Sequence, residues 1–202
     1  ISMHRMSTKE LALVAALSAA AVVVAFTHGL LTPYLYNVEF MTVIIFVSGF
    51  CFGWLVGLLV GAVAETIYIM FPYPILSPAT ITATSPILIV IMAALAAFYG
   101  VVGGVRGRNW EPPNNMRRFV VEMAVWGFVL TFIFDVLSSV GFYVAYPFIY
   151  PSVWDAVYLT FVPLPPFMVY PPIVHTFANT IIFALVATPL ILAIKRMPIH
   201  RA

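Results

Sequence analysis

Charged residues make up only 8% of this chain, and none of its nine Lys and Arg falls between residues 10 and 105 or between 119 and 194. A soluble domain carries about 25% charged residues. With 63% hydrophobic residues, the chain cannot hide its apolar surface in a core of its own size, so a soluble fold is excluded and a lipid bilayer is the expected solvent. Cysteine is almost absent: the lone Cys51 excludes an intrachain disulfide and any multi-cysteine metal site. There is no Gly-x-x-x-x-Gly-Lys-Ser/Thr run, which excludes ATP hydrolysis by a P-loop on this chain. Serine-hydrolase and zincin readings have no support, because Gly-x-Ser-x-Gly and His-Glu-x-x-His are both missing. The four histidines, at positions 4, 28, 175 and 200, are scattered, so no dedicated metal site is expected and nothing calls for a cofactor. A net charge of +2 is too small for a nucleic-acid footprint. Neither an internal repeat nor a low-complexity tail is visible.

What charge there is falls in three clusters: Arg5 and Lys9; Arg106, Arg108, Arg117 and Arg118; and Lys195, Arg196 and Arg201. Basic loops stay on the cytoplasmic face, so the three clusters are expected on one side, and the number of crossings between them must be even. Apolar runs give helices at about 9–27, 36–51, 53–71, 85–104, 119–145 and 173–195. The stretch 36–71 would reach over roughly 50 Å as one helix, beyond a core of about 30 Å, so it divides in two where glycines cluster, at Gly49–Trp54. The first run is read as a retained span, since no convincing signal-peptidase site follows it. Residues 145–172 carry seven prolines and read as an outer loop, with a short interfacial helix near 151–161 that includes Trp154. The expected fold is an all-α integral membrane protein, one domain over 1–202. It has six transmembrane helices, with both termini cytoplasmic.

Polar side chains inside a bilayer are costly and face protein or water. Here they fall at one depth. Glu65 lies past the midpoint of the third helix, one turn before Tyr68. Thr131, Asp135, Ser138 and Ser139 form a stripe in the outer half of the fifth. His175, Thr176, Asn179 and Thr180 occupy the first turns of the sixth, and Thr80, Thr82, Thr84 and Ser85 open the fourth. Each has a structural alternative: Glu65 protonated and bonded to a neighbour, Asp135 paired with Ser138 or His175, His175 a satisfied core histidine. Taken together, the shared depth favours a binding site open to the outer side. Two small-residue stripes, Ala12/Ala16/Ala20 on the first helix and Gly53/Gly57/Gly61 on the third, each allow close helix approach. Pattern alone does not say which of them meets a partner chain.

Several features resemble the substrate-binding S component of an energy-coupling factor (ECF) transporter. They are the size, the six spans, and the start Ser7-Thr8-Lys9-Glu10-Leu11-Ala12-Leu13 leading into the Ala-x-x-x-Ala helix. The Gly-rich segment from Gly53 to Gly61 and the last span from His175 to Lys195-Arg196 add to the likeness. The resemblance covers nearly the whole chain. It implies a prokaryotic cell-membrane subunit, not an enzyme, that binds a vitamin-like micronutrient from outside. It also implies docking through Ala12, Ala16 and Ala20 on a transmembrane coupling protein, with two separate ATPase subunits supplying energy. Loops between helices one and two, three and four, and five and six would close over the ligand. Nickel and cobalt members use an outer Met-His; Met3-His4 here lies beside Arg5 on the expected inner side and is not expected to bind metal.

The substrate-binding residues expected on these grounds are Glu65, Tyr68, Asp135, Ser138, Ser139, Phe142, Trp154, His175 and Asn179. Carboxylates without an outer Lys or Arg argue against a strongly anionic ligand. A neutral or cationic ring compound, thiamine-like or pyridine-like, could stack on Tyr68, Phe142 or Trp154. Two other readings are an intramembrane enzyme using Glu65, Asp135 and His175 as acid–base groups, and an assembly subunit that binds no ligand.

Overall fold

The structure is a computed structural model that describes residues 6–31, 39–71, 85–158, 161–162 and 173–197. All regular structure among these residues is helical. In chain order the helices are α1 (Thr8–Leu31), α2 (Met41–Phe52), α3 (Trp54–Met70), α4 (Pro86–Gly107), α5 (Met116–Ala145), the short α6 (Val153–Tyr158), α7 (Ile173–Ile182) and α8 (Thr188–Arg196). A π turn, Phe183–Ala187, joins α7 and α8 into one continuous rod. Four helical segments are long and apolar enough to cross a membrane: Thr8–Thr27, Pro86–Gly107, Met116–Ala145 and Ile173–Arg196. α2 and α3 are apolar but shorter, at 12 and 17 residues. The large apolar side chains turned outward, among them Val90, Val121 and Leu185, suit contact with lipid and not with water.

Local sequence sets the helix ends. Ser7 and Glu10 form a reciprocal capping box at α1: the Ser7 amide donates to Glu10 Oε2 (2.7 Å) and the Glu10 amide to Ser7 Oγ (3.2 Å). Asn115 caps α5 by accepting from the Arg118 amide at 3.2 Å. Ser85 caps α4 just ahead of Pro86, whose missing N–H is harmless in a first turn. The apolar run divides at Gly53, the only described residue with positive φ (101°), a conformation that disfavours any side chain. The π turn has a cause too. Pro189 supplies no N–H and its ring presses on the preceding turn, and the widened turn just before it relieves that clash. α2 starts at Met41 instead of residue 36, and α5 reaches back to Met116.

Glycines bring α2, α3 and α4 together with their backbones in contact. Gly57 and Gly100 face each other so closely that a Cβ on either would overlap the other's main chain. Gly57 and Gly61 of the glycine stripe are therefore consumed against α4, whereas Gly53 is exposed. The alanine stripe is not consumed in this way: Ala12, Ala16 and Ala20 lie on the exposed face of α1, opposite the buried Val14, Ser18, Ala21 and Ala25. Ser18 Oγ donates to the Val60 carbonyl at 3.4 Å and ties the inner face of α1 to α3. α5 packs on α7, and Phe46, Phe50, Tyr99, Phe119 and Phe183 fill the centre with tilted and edge-on ring contacts.

Candidate functional site

Inside this apolar bundle, five helices deliver polar side chains to one buried cluster. α5 supplies Thr131 and Asp135, α7 supplies His175, Thr176 and Asn179, α4 supplies Tyr99, α2 supplies Thr42, and α3 supplies Glu65; all are buried. Asp135 accepts from both neighbours on α7. His175 Nδ1 lies 2.8 Å from its Oδ1, and the Thr176 hydroxyl donates to Oδ2 at 2.7 Å. The ring's other nitrogen, Nε2, meets the Asn179 amide at 2.9 Å and the Glu39 carboxylate at 3.5 Å. Asn179 reaches Thr131 Oγ1 (3.1 Å) and Thr42 Oγ1 (3.2 Å), and the Tyr99 hydroxyl donates to Thr131 Oγ1 at 3.0 Å. The chain Tyr99–Thr131–Asn179–His175–Asp135–Thr176 is thus continuous across three helices, and in a low-dielectric interior such a network is stiff.

Two groups stand outside this satisfaction. Asn179 Oδ1 is buried with no hydrogen-bond partner, whereas the amide nitrogen of the same side chain is offered three acceptors for its two hydrogens. Glu65 is 4% exposed, and no donor among the described residues reaches its carboxylate. Its charged neighbours are Glu39 and His175. Burying a carboxylate beside another carboxylate is costly, so Glu65 is an expensive group in this bundle.

The other expected residues are placed as follows. Ser138 and Ser139 turn their hydroxyls back to the Asp135 carbonyl (3.1 and 2.9 Å), so both serve the α5 backbone. Phe142 is half-buried two turns beyond Asp135. Tyr68 is half-buried on α3 and packs its ring against Phe26, with centroids 5.5 Å apart. Trp154 is 77% exposed on α6. Asp135 and His175 satisfy each other, as the structural alternative for that pair requires. Glu39, Thr42 and Tyr99 belong to the site although the sequence did not single them out. Glu39 showed only as an interruption of an apolar run, and nothing in the pattern distinguishes the Tyr99 hydroxyl from a core aromatic. Thr80, Thr82, Thr84, Met3 and His4 lie outside the described residues. Among the described residues, no group of three or more His, Cys, Asp or Glu is set to hold a metal ion.

The end of the bundle that carries the basic clusters is built differently. Arg106 grips Glu122 with two hydrogen bonds and lies over the Phe50 ring. Lys195 donates to the Cys51 carbonyl at 3.4 Å and sits over Trp110.

Comparison with known families adds one finding: the family model described as "ECF transporter, substrate-specific component" matches residues 9–192. Comparison with curated proteins and with solved structures finds no match.

Proposed function

Since the chain belongs to the substrate-specific components of ECF transporters, a family of transport subunits and not of enzymes, we propose that it captures a vitamin-like compound at its buried polar cluster and hands it on for import. In this reading the membrane is that of a prokaryotic cell, crossed six times, with both termini in the cytoplasm and the polar cluster in the outer half. α2 and α3 make short crossings on either side of Gly53, and the basic clusters hold the other end inside. The ligand is a ring compound, neutral or cationic, because the cluster holds carboxylates and an imidazole but no Lys or Arg. Energy comes from two ATPase subunits through a transmembrane coupling protein. Ala12, Ala16 and Ala20 are the docking face for that protein: they are exposed, small, and not needed for internal packing.

One observation carries the reading: eight buried polar side chains from five helices meet in an otherwise apolar bundle, and one of them, Asn179, keeps an oxygen with no partner. A subunit that only assembled other proteins would gain nothing from so costly an interior. The test is to purify the chain from its native host, identify by mass spectrometry any compound it retains, and measure equilibrium binding of that compound to wild type and to Asp135→Asn. Binding weakened by roughly 100-fold is expected, because Asp135 holds the His175 and Thr176 side chains of the cluster in place. Undiminished binding would move the site elsewhere. Release of a chemically altered compound would favour the enzyme reading, and a chain that binds nothing would favour the assembly role.

A further inference from the structure

The charge balance of the cluster narrows what it binds, an inference that rests on the capture reading. Three carboxylates, Asp135, Glu39 and Glu65, surround one imidazole. If His175 is protonated, its charge is matched by Asp135, which touches Nδ1 at 2.8 Å. Glu39 and Glu65 then remain. If it is neutral, all three carboxylates remain. No other cation of this chain is available, since every Lys and Arg lies in the three basic clusters. A proton on Glu65 would remove its charge, and Glu39 would still be left over once Asp135 is matched to His175. If His175 is neutral with its proton on Nδ1, the unpartnered Asn179 Oδ1 is a further buried acceptor; if the ring is protonated, Nε2–H donates to that oxygen instead. Every deficit at this site is a deficit of positive charge and of N–H or O–H donors.

We propose that the ligand carries a positively charged nitrogen group with N–H donors, held between Glu65 and Glu39, and that Glu39 is a specificity-determining residue of the site. The two carboxylates divide the work by depth. Glu65, buried on α3, takes the charge out of water. Glu39, whose side chain is 24% exposed just ahead of α2, stands at the rim and meets the cation first. A quaternary nitrogen would meet the charge requirement and leave the donor requirement unmet, so an ammonium or a protonated ring nitrogen is the expected group. An anion would bring a fourth negative charge into the cluster.

The test uses the full chain in lipid nanodiscs and three pyridines that bear an aminomethyl, a hydroxymethyl or a carboxylate group, with affinities read by saturation-transfer NMR. The aminomethyl compound should bind at least about tenfold more tightly than the hydroxymethyl compound, and the carboxylate most weakly. Glu39→Gln and Glu65→Gln should each erase most of that preference while leaving the hydroxymethyl compound's affinity nearly unchanged, a split that a merely structural role would not produce. Preference for the neutral or anionic probe, or a cation preference intact in Glu39→Gln, overturns the charge assignment but leaves the capture reading standing. Failure of all three probes to bind, in a chain that also retains no compound from its host, overturns both.

Discussion

The two ends of this bundle treat charge in opposite ways. At the end with the basic clusters, Arg106 has Glu122 as a two-pronged partner, and Lys195 has a carbonyl and an aromatic face. Both contacts are partly exposed, and the indole Nε1 of Trp110, the ring beneath Lys195, is buried with no partner. At the other end, carboxylates outnumber cations, burial is nearly total, and Asn179 Oδ1 is left without a partner. The difference is one of charge balance: the basic end matches Arg106 and Lys195 with a carboxylate, a carbonyl and aromatic faces, whereas the polar end holds more carboxylates than cations.

The frame shared by both ends should be the most sensitive point. Gly100→Leu would drive a side chain into the Gly57 main chain, with no flexible neighbour to yield. Overpacking a core typically costs about 1–3 kcal/mol, and a backbone clash lies at or above the top of that range. Thermal unfolding in detergent should show a large fall in stability together with loss of ligand binding; a near-normal melting temperature would mean that α3 and α4 separate more easily than their packing implies.

Asp135→Asn comes next and acts on the polar end alone. It removes the charge and replaces one of the two acceptor oxygens that hold His175 and Thr176 with an NH2 donor, and breaking one member of a buried pair costs about 3–5 kcal/mol. Stability and binding should fall together. Glu65→Gln should split them. Its carboxylate is buried and meets no donor among the described residues, so neutralising it removes a desolvation cost, and the melting temperature should stay level or rise by the equivalent of about 1 kcal/mol while ligand affinity drops. If Glu65→Gln destabilises the protein as Asp135→Asn does, Glu65 is a structural group and the contrast between the two ends disappears.

How much of this was legible beforehand differs by residue. The division of residues 36–71 was readable because a helix of that length does not fit a bilayer and glycines mark the weak point; Gly53 adopts the left-handed conformation there. Asp135, His175 and Asn179 were readable because ionisable and amide groups are conspicuous in apolar spans. The serines of α5 were not, since three- and four-residue spacing fits a shared face and a bond to their own helix equally well, and only coordinates show Ser138 and Ser139 doing the latter. The roles of the two small-residue stripes were also hidden. Glycine on α3 and alanine on α1 look alike in sequence, but one is consumed against α4 and the other faces outward. Tyr99 and Glu39 had no sequence signal, because their partners lie on other helices.

The smallest effect is expected from the basic end. Glu122→Gln removes the charge that Arg106 grips, but both side chains are about a third exposed (32% and 31%), so water and salt already share the interaction. The loss should be about 1 kcal/mol or less, and it should shrink further as salt is raised, because the wild-type pair is itself screened. Glutamine keeps the length and one acceptor, so Arg106 can stay over Phe50 and the helix ends need not part. Ligand affinity should not change, since the pair shares no hydrogen bond with the buried cluster. A fall in affinity without a fall in stability would show the two ends to be coupled through α4 and α5, and the basic end would then belong to the transport cycle as well as to the fold.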